Sequence, residues 1–131
     1  MANGSVSHKE KIMIRKQKTP ANVLLSMVDL LDDPAKWIKA VLARDKNGVR
    51  LSPCSPSAYS FCLIGASLKV SYMPGHYTKA ERLADEVLVS TIQSMTNVNS
   101  VAIFNDSDDT THKKMLEVLI SAAFLALSEE E

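Results

Sequence analysis

A-Y-S-F-C-L-I-G-A-S-L-K-V, from Ala58 to Val70, decides the fold reading, because almost every residue in it is apolar or small. A helix that is apolar around most of its circumference is normally surrounded by other helices. The segment is therefore expected as the central helix of a bundle, launched by Ser55-Pro56. Gly65 and Ala66 would let a neighbour approach closely, although a glycine inside a helix costs roughly 1 kcal/mol relative to alanine.

Upstream, Gly48 closes a helix, and V-R-L-S-P-C-S-P with its two prolines cannot continue one. Asp33-Pro34 predicts a short helix with Trp37, Ile38, Val41 and Leu42 on one side, ending near Asn47-Gly48. Thr19-Pro20 predicts an earlier one, in which Val23, Leu24, Met27, Leu30 and Leu31 recur at helical spacing. Downstream, Met73-Pro74-Gly75 breaks the central helix, and Thr78 with Glu81 forms a capping box that opens the next. That helix buries Leu83, Ala84, Val87, Leu88, Ile92 and Met95. N-V-N-S-V-A-I-F-N-D is too short and too β-branched for a helix, so it reads as an extended connector that pairs briefly with the V-R-L near Val49. The last helix runs from Asp109 or Thr110 to near Leu127, carrying Met115, Leu116, Leu119, Ala122, Ala123 and Ala126. The expected fold is all-α: a single compact bundle of about five helices with a short extended connector and at most a minimal β pairing. Residues 1–18 are expected as a flexible basic arm, 19–128 as the helical domain and 129–131 as an acidic tail.

With 131 residues the chain is long enough for one domain to bury a core without staples. Fifteen basic and fifteen acidic side chains cancel, which argues against nucleic-acid binding as a function because it relies on a broad positive field. The basic arm, with Lys9, Lys11, Arg15, Lys16 and Lys18 against Glu10, carries no interleaved aromatics for base stacking. A hydrophobic fraction of 46% and a charged fraction of 23% are those of ordinary globular domains. No apolar run has the length of a membrane span, and the first residues lack the apolar core of a secretory signal. A cytoplasmic location, with Cys54 and Cys62 as free thiols, is the expectation.

Chemistry-bearing residues concentrate where Asn105-Asp106 is followed by His112 at the start of the last helix. Cys62, Asp106 and His112 are the right types for a nucleophile, a carboxylate and a base. A cysteine between Phe61 and Leu63 in mid-helix, however, reads as a small buried hydrophobe, so no catalytic residue is assigned. His112 with Asp106, Asp108 and Asp109 matches no metal-binding spacing, with His76 too distant in sequence to judge, and neither metal nor cofactor is expected. The acidic residues have a plainer use at the positive end of a helix dipole. In W-I-K-A-V-L-A-R-D, Arg44 presents a planar fork to a carboxylate or phosphate, with Trp37 and Asp45 nearby. The candidate ligand-binding residues are Trp37, Arg44, Asp45, Asn105, Asp106 and His112.

Trp37, A-R-D at Ala43 to Asp45, Gly48, C-L-I-G-A at Cys62 to Ala66, N-D at Asn105-Asp106, and His112 before H-K-K-M-L-E-V-L occur in an order with a counterpart elsewhere. This order resembles an uncharacterised domain-of-unknown-function family of small proteins from bacteria and their phages, over Leu24 to Ala126. The chain differs in having Phe104 before N-D and a longer spacing to the histidine. The resemblance implies a compact helical domain of phage or mobile-element origin, and no reaction. The favoured function is that of a small accessory protein, phage-encoded, that binds a host protein or a small ligand in the host cytoplasm, with a homodimer compatible with its apolar content. The alternative is an enzyme or a binder of an anionic, nucleotide-like ligand, in which Arg44 grips the anion while Asp106 and His112 act as acid and base.

Overall fold

Thr19 and Pro20 open the first helix, α1, over Pro20–Leu31: the Thr19 hydroxyl accepts the Asn22 N–H at 3.1 Å, and proline takes the first helical position. The computed structural model describes residues 19–71 and 79–130. The expected arm, the Met73-Pro74-Gly75 break, His76 and the Thr78 half of the capping box lie outside them. Ala21, Val23, Leu24, Met27 and Leu31 are buried along α1, which packs against the helices Leu63–Ser71 (α2), Lys79–Thr96 (α3) and His112–Glu129 (α5). A fifth helix, α4, spans Val101–Asp106. Among the described residues the architecture is therefore mostly α, with five α-helices and one two-stranded antiparallel sheet, β1 (Ala43–Arg44) with β2 (Ser60–Phe61).

Several local expectations are corrected. The helix expected from Pro34 to Asn47 stops after one 3₁₀ turn, Pro34–Lys36. From Trp37 the chain leaves the helix and bends through residues 39–42 into β1, because long-range partners capture its backbone: Ile38 N–H donates to Phe61 O at 3.0 Å, and Ala43 and Arg44 pair with Phe61 and Ser60. Four apolar residues at helical spacing did not outweigh those bonds. The same pairing shortens the next segment. Ser60 and Phe61 are strand residues, so α2 begins at Leu63, and with Ile64 38% and Leu68 43% exposed it lies at the edge of the bundle. The central helix is α1.

The third correction is α4, which occupies the segment read as an extended connector. Asn97, at φ 65°, ends α3 in the left-handed conformation, and the Ser100 hydroxyl then caps α4 by accepting the Ile103 N–H at 3.1 Å. The β pairing joins Ala43-Arg44 to Ser60-Phe61; near Val49 there is only an isolated bridge between Arg44 and Arg50. The last helix is capped by Thr111, whose hydroxyl accepts the Lys114 N–H at 3.1 Å, two or three residues after the expected start.

Gly65 explains how α2 meets the segment before β1. A Cβ there would collide with the Leu42 backbone carbonyl, so only glycine permits the approach. The expected close approach is real, but the neighbour is the bend at Leu42 that leads into β1 and not a helix.

Candidate functional site

Asn105 is the organising residue. It lies near the end of α4, is 1% exposed, and uses every hydrogen-bonding position of its amide. Its Oδ1 accepts from Trp37 Nε1 at 2.7 Å and from the Leu63 N–H at 3.0 Å. Its Nδ2 donates to Ile38 O at 3.1 Å and to Asp106 Oδ1 at 2.9 Å. One side chain thus ties the segment before β1, the first residue of α2 and α4 into one unit. An amide that is both buried and saturated is structural.

Asp106 is exposed, and its Oδ1 also accepts the Ala40 N–H at 2.9 Å. Its Oδ2 receives no hydrogen bond from the described residues. Ala40 itself has φ 75°, a left-handed conformation that costs a residue with a Cβ about 1 kcal/mol or more. The carboxylate holds this strained turn in place. Lys39, the preceding residue, donates through Nζ to Ser107 O at 2.6 Å and Thr110 O at 2.9 Å, closing the loop between α4 and α5.

Trp37 and His112 lie on the other side of Asn105. Their ring centroids are 6.1 Å apart, and His112 Nε2 lies 2.7 Å from Leu31 O. A carbonyl oxygen only accepts, so Nε2 carries the proton and donates it there. Lys39 Nζ sits 5.3 Å from the Trp37 ring. This group locks the start of α5 to the end of α1.

Arg44 and Asp45 are spent locally. Arg44 Nη1 donates to Gly48 O at 2.8 Å, and Asp45 Oδ1 accepts the Asn47 and Val49 N–H groups, each at 2.9 Å. Among the described residues no ion pair joins Arg44 to Asp106. Of the six candidates, the structure gathers Trp37, Asn105, Asp106 and His112 into one network and leaves Arg44 and Asp45 in a separate turn.

An open cleft of about 360 Å³ lies against this network, lined by Ala40, Val41, Leu42, Ile64 and Ala102, with Asn105, Asp106, Cys62 and Arg50 supplying polar atoms. Its size is at the low end for small-molecule pockets. Arg50 is the residue the sequence reading missed. The hairpin that bridges Arg44 to Arg50 brings it to the cleft, and no motif around V-R-L signals this.

Cys62 also stands elsewhere than expected. It precedes α2, with its carbonyl accepting the Ala66 N–H at 2.8 Å and its Sγ accepting the Gly65 N–H at 3.3 Å. Burial pushes its thiol pKa up, the Asp106 charge pushes the same way, and backbone N–H groups of Gly65 and Ile64 oppose them. The net effect keeps the thiol protonated, and the His112 imidazole that would activate it is engaged with Leu31. Among the described residues no group of three His, Cys, Asp or Glu side chains is placed to hold a metal ion, and no helix is long and apolar enough to cross a membrane.

Compared with known proteins, the chain is matched over residues 15–125 by the model of a family of unknown function, DUF6197. No curated protein and no solved structure matches it.

Proposed function

Since the chain belongs to the DUF6197 family, which brings no activity with it, we propose from the site itself that it is a small-ligand-binding accessory protein that works through the Asp106 cleft. The observation that carries this is the state of the Asp106 carboxylate. One oxygen is fixed by two donors, while the other has no donor among the described residues, at the edge of a largely apolar cleft. A positioned acceptor beside apolar walls is the usual make-up of a small-molecule site. The proposal includes, from the resemblance of the motif order alone, a phage-encoded origin and a role in the host cytoplasm.

The test is an NMR fragment screen on the wild-type protein and on Asp106→Asn. Fragments that shift the amides of Val41, Leu42, Ile64 and Ala102 in the wild type, and do so more weakly in the variant, support the reading. A screen in which no fragment shifts those amides refutes it.

A second reading, contact with another protein chain, draws on the outer face of α5. Phe124 is 67% exposed there, with Ile120 and Leu127 one turn to either side at 38% and 40%. Sedimentation of the wild type and of Phe124→Ser checks it, beginning with a homodimer; a monomer at all concentrations with no captured host protein removes it. The enzymatic reading draws less support, because Arg44 and His112 are engaged with Gly48 and Leu31 rather than with a shared pocket.

A further inference from the structure

The cleft carries two opposite charges that do not meet. Asp106 and Arg50 both line it, yet among the described residues no ion pair joins them, and the Arg50 guanidinium has no hydrogen-bond partner there. Both residues are exposed to solvent where they line it. Here Asp106 cannot turn away, since the Asn105 amide and the Ala40 N–H hold its Oδ1, and the strain at Ala40 is sustained by that contact. The walls between the charges, Val41, Leu42, Ile64 and Ala102, offer hydrocarbon and no competing charge.

We infer that the ligand is a small zwitterion with an aliphatic body, of the size and charge pattern of a free amino acid. Its ammonium group meets Asp106 Oδ2, its carboxylate meets the Arg50 fork, and its side chain lies on Val41, Leu42 and Ile64. This deepens the ligand-binding reading above and rests on it. Three features match. A carboxylate oxygen with no donor of its own suits an ammonium group. A guanidinium presents paired donors that fit a carboxylate. A space of about 360 Å³ suits a small molecule and not a folded segment. A purely anionic ligand would meet Asp106 as a like charge, and a purely cationic one would meet Arg50 in the same way.

The experiment titrates L-leucine, N-acetyl-L-leucine and L-leucinamide into the full-length protein, following backbone amide shifts, with Asp106→Asn and Arg50→Gln in parallel. Leucine is expected to shift the amides of Val41, Leu42 and Ile64. Removing the ammonium charge by acetylation, or the carboxylate by amidation, is expected to weaken binding by about tenfold or more, the scale of one charge-assisted contact. Asp106→Asn should abolish the difference between leucine and its acetylated form, and Arg50→Gln that between leucine and its amide. Equal binding of all three compounds, or none by leucine while neutral fragments occupy the cleft, overturns the zwitterion assignment and leaves the cleft reading standing. If neither leucine nor any fragment shifts those amides, both fall.

Discussion

Replacing Asn105 by alanine removes a buried amide in which all four hydrogen-bonding positions are used. The loss is unequal among its partners. Asp106 is exposed and recovers water, so that bond contributes little. The Leu63 N–H is buried with no alternative acceptor, and stranding such a donor costs about 1 to 3 kcal/mol. The Trp37 and Ile38 bonds are half-buried and contribute about 1 kcal/mol or less each. The sum is about 2 to 5 kcal/mol, large for one substitution. In a domain of this size it corresponds to a fall in Tm of roughly 6 to 20 °C. Urea unfolding followed by tryptophan fluorescence is the assay, since Trp37 is the single tryptophan and one of the Asn105 partners. Trp37→Phe, monitored by circular dichroism, removes the indole donor together with part of the ring's packing and should cost about 1 to 2 kcal/mol. A loss below about 1 kcal/mol for Asn105→Ala would refute the claim that this amide holds the three segments together.

Gly65→Ala should lower stability by about 3 kcal/mol or more, or prevent folding, despite alanine's better helix propensity, because the new Cβ meets the Leu42 carbonyl; urea unfolding measures it. Ala40→Gly should raise stability by about 0.5 to 1 kcal/mol by relieving the left-handed strain, and an unchanged or lower midpoint would contradict the strain at that turn. At neutral pH, iodoacetamide should modify Cys54 well ahead of Cys62, as peptide mapping would show. The raised Cys62 pKa also means that the folded state keeps its proton after the unfolded chain has lost it. Its contribution to stability is therefore intact below the ordinary value of 9.0 and declines as pH rises beyond it, a slope that Cys62→Ser should flatten.

Elements whose start signals are local were legible in the sequence. Thr19-Pro20 opens α1, and the long apolar stripe of α5 begins within a few residues of its expected place, because capping and periodicity act over a single turn. Trp37 to Leu42 misled for the opposite reason: its apolar spacing suits a helix, but its backbone partners are Phe61 and Cys62, remote in sequence. The six residues of α4 are too few for a periodicity to declare itself, and Ser100 was the one available signal. In the candidate site, Asn105 and Asp106 were identifiable by type and proximity. Arg50 was not, because what brings it to the cleft is a hairpin and not a motif.

The Asn105 bonds to Trp37, Ile38 and Leu63 span 68, 67 and 42 positions of the chain. Closures of that length draw on chain entropy that only the folded domain recovers through its contacts. The cleft, lined by segments remote in sequence, is therefore a property of the folded state and not of the unfolded chain. Any molecule that occupies it binds the native state alone and raises the melting temperature as its concentration rises above its Kd. Thermal denaturation of the unmodified protein against a chemical library thus tests the proposed ligand-binding role without naming the ligand in advance.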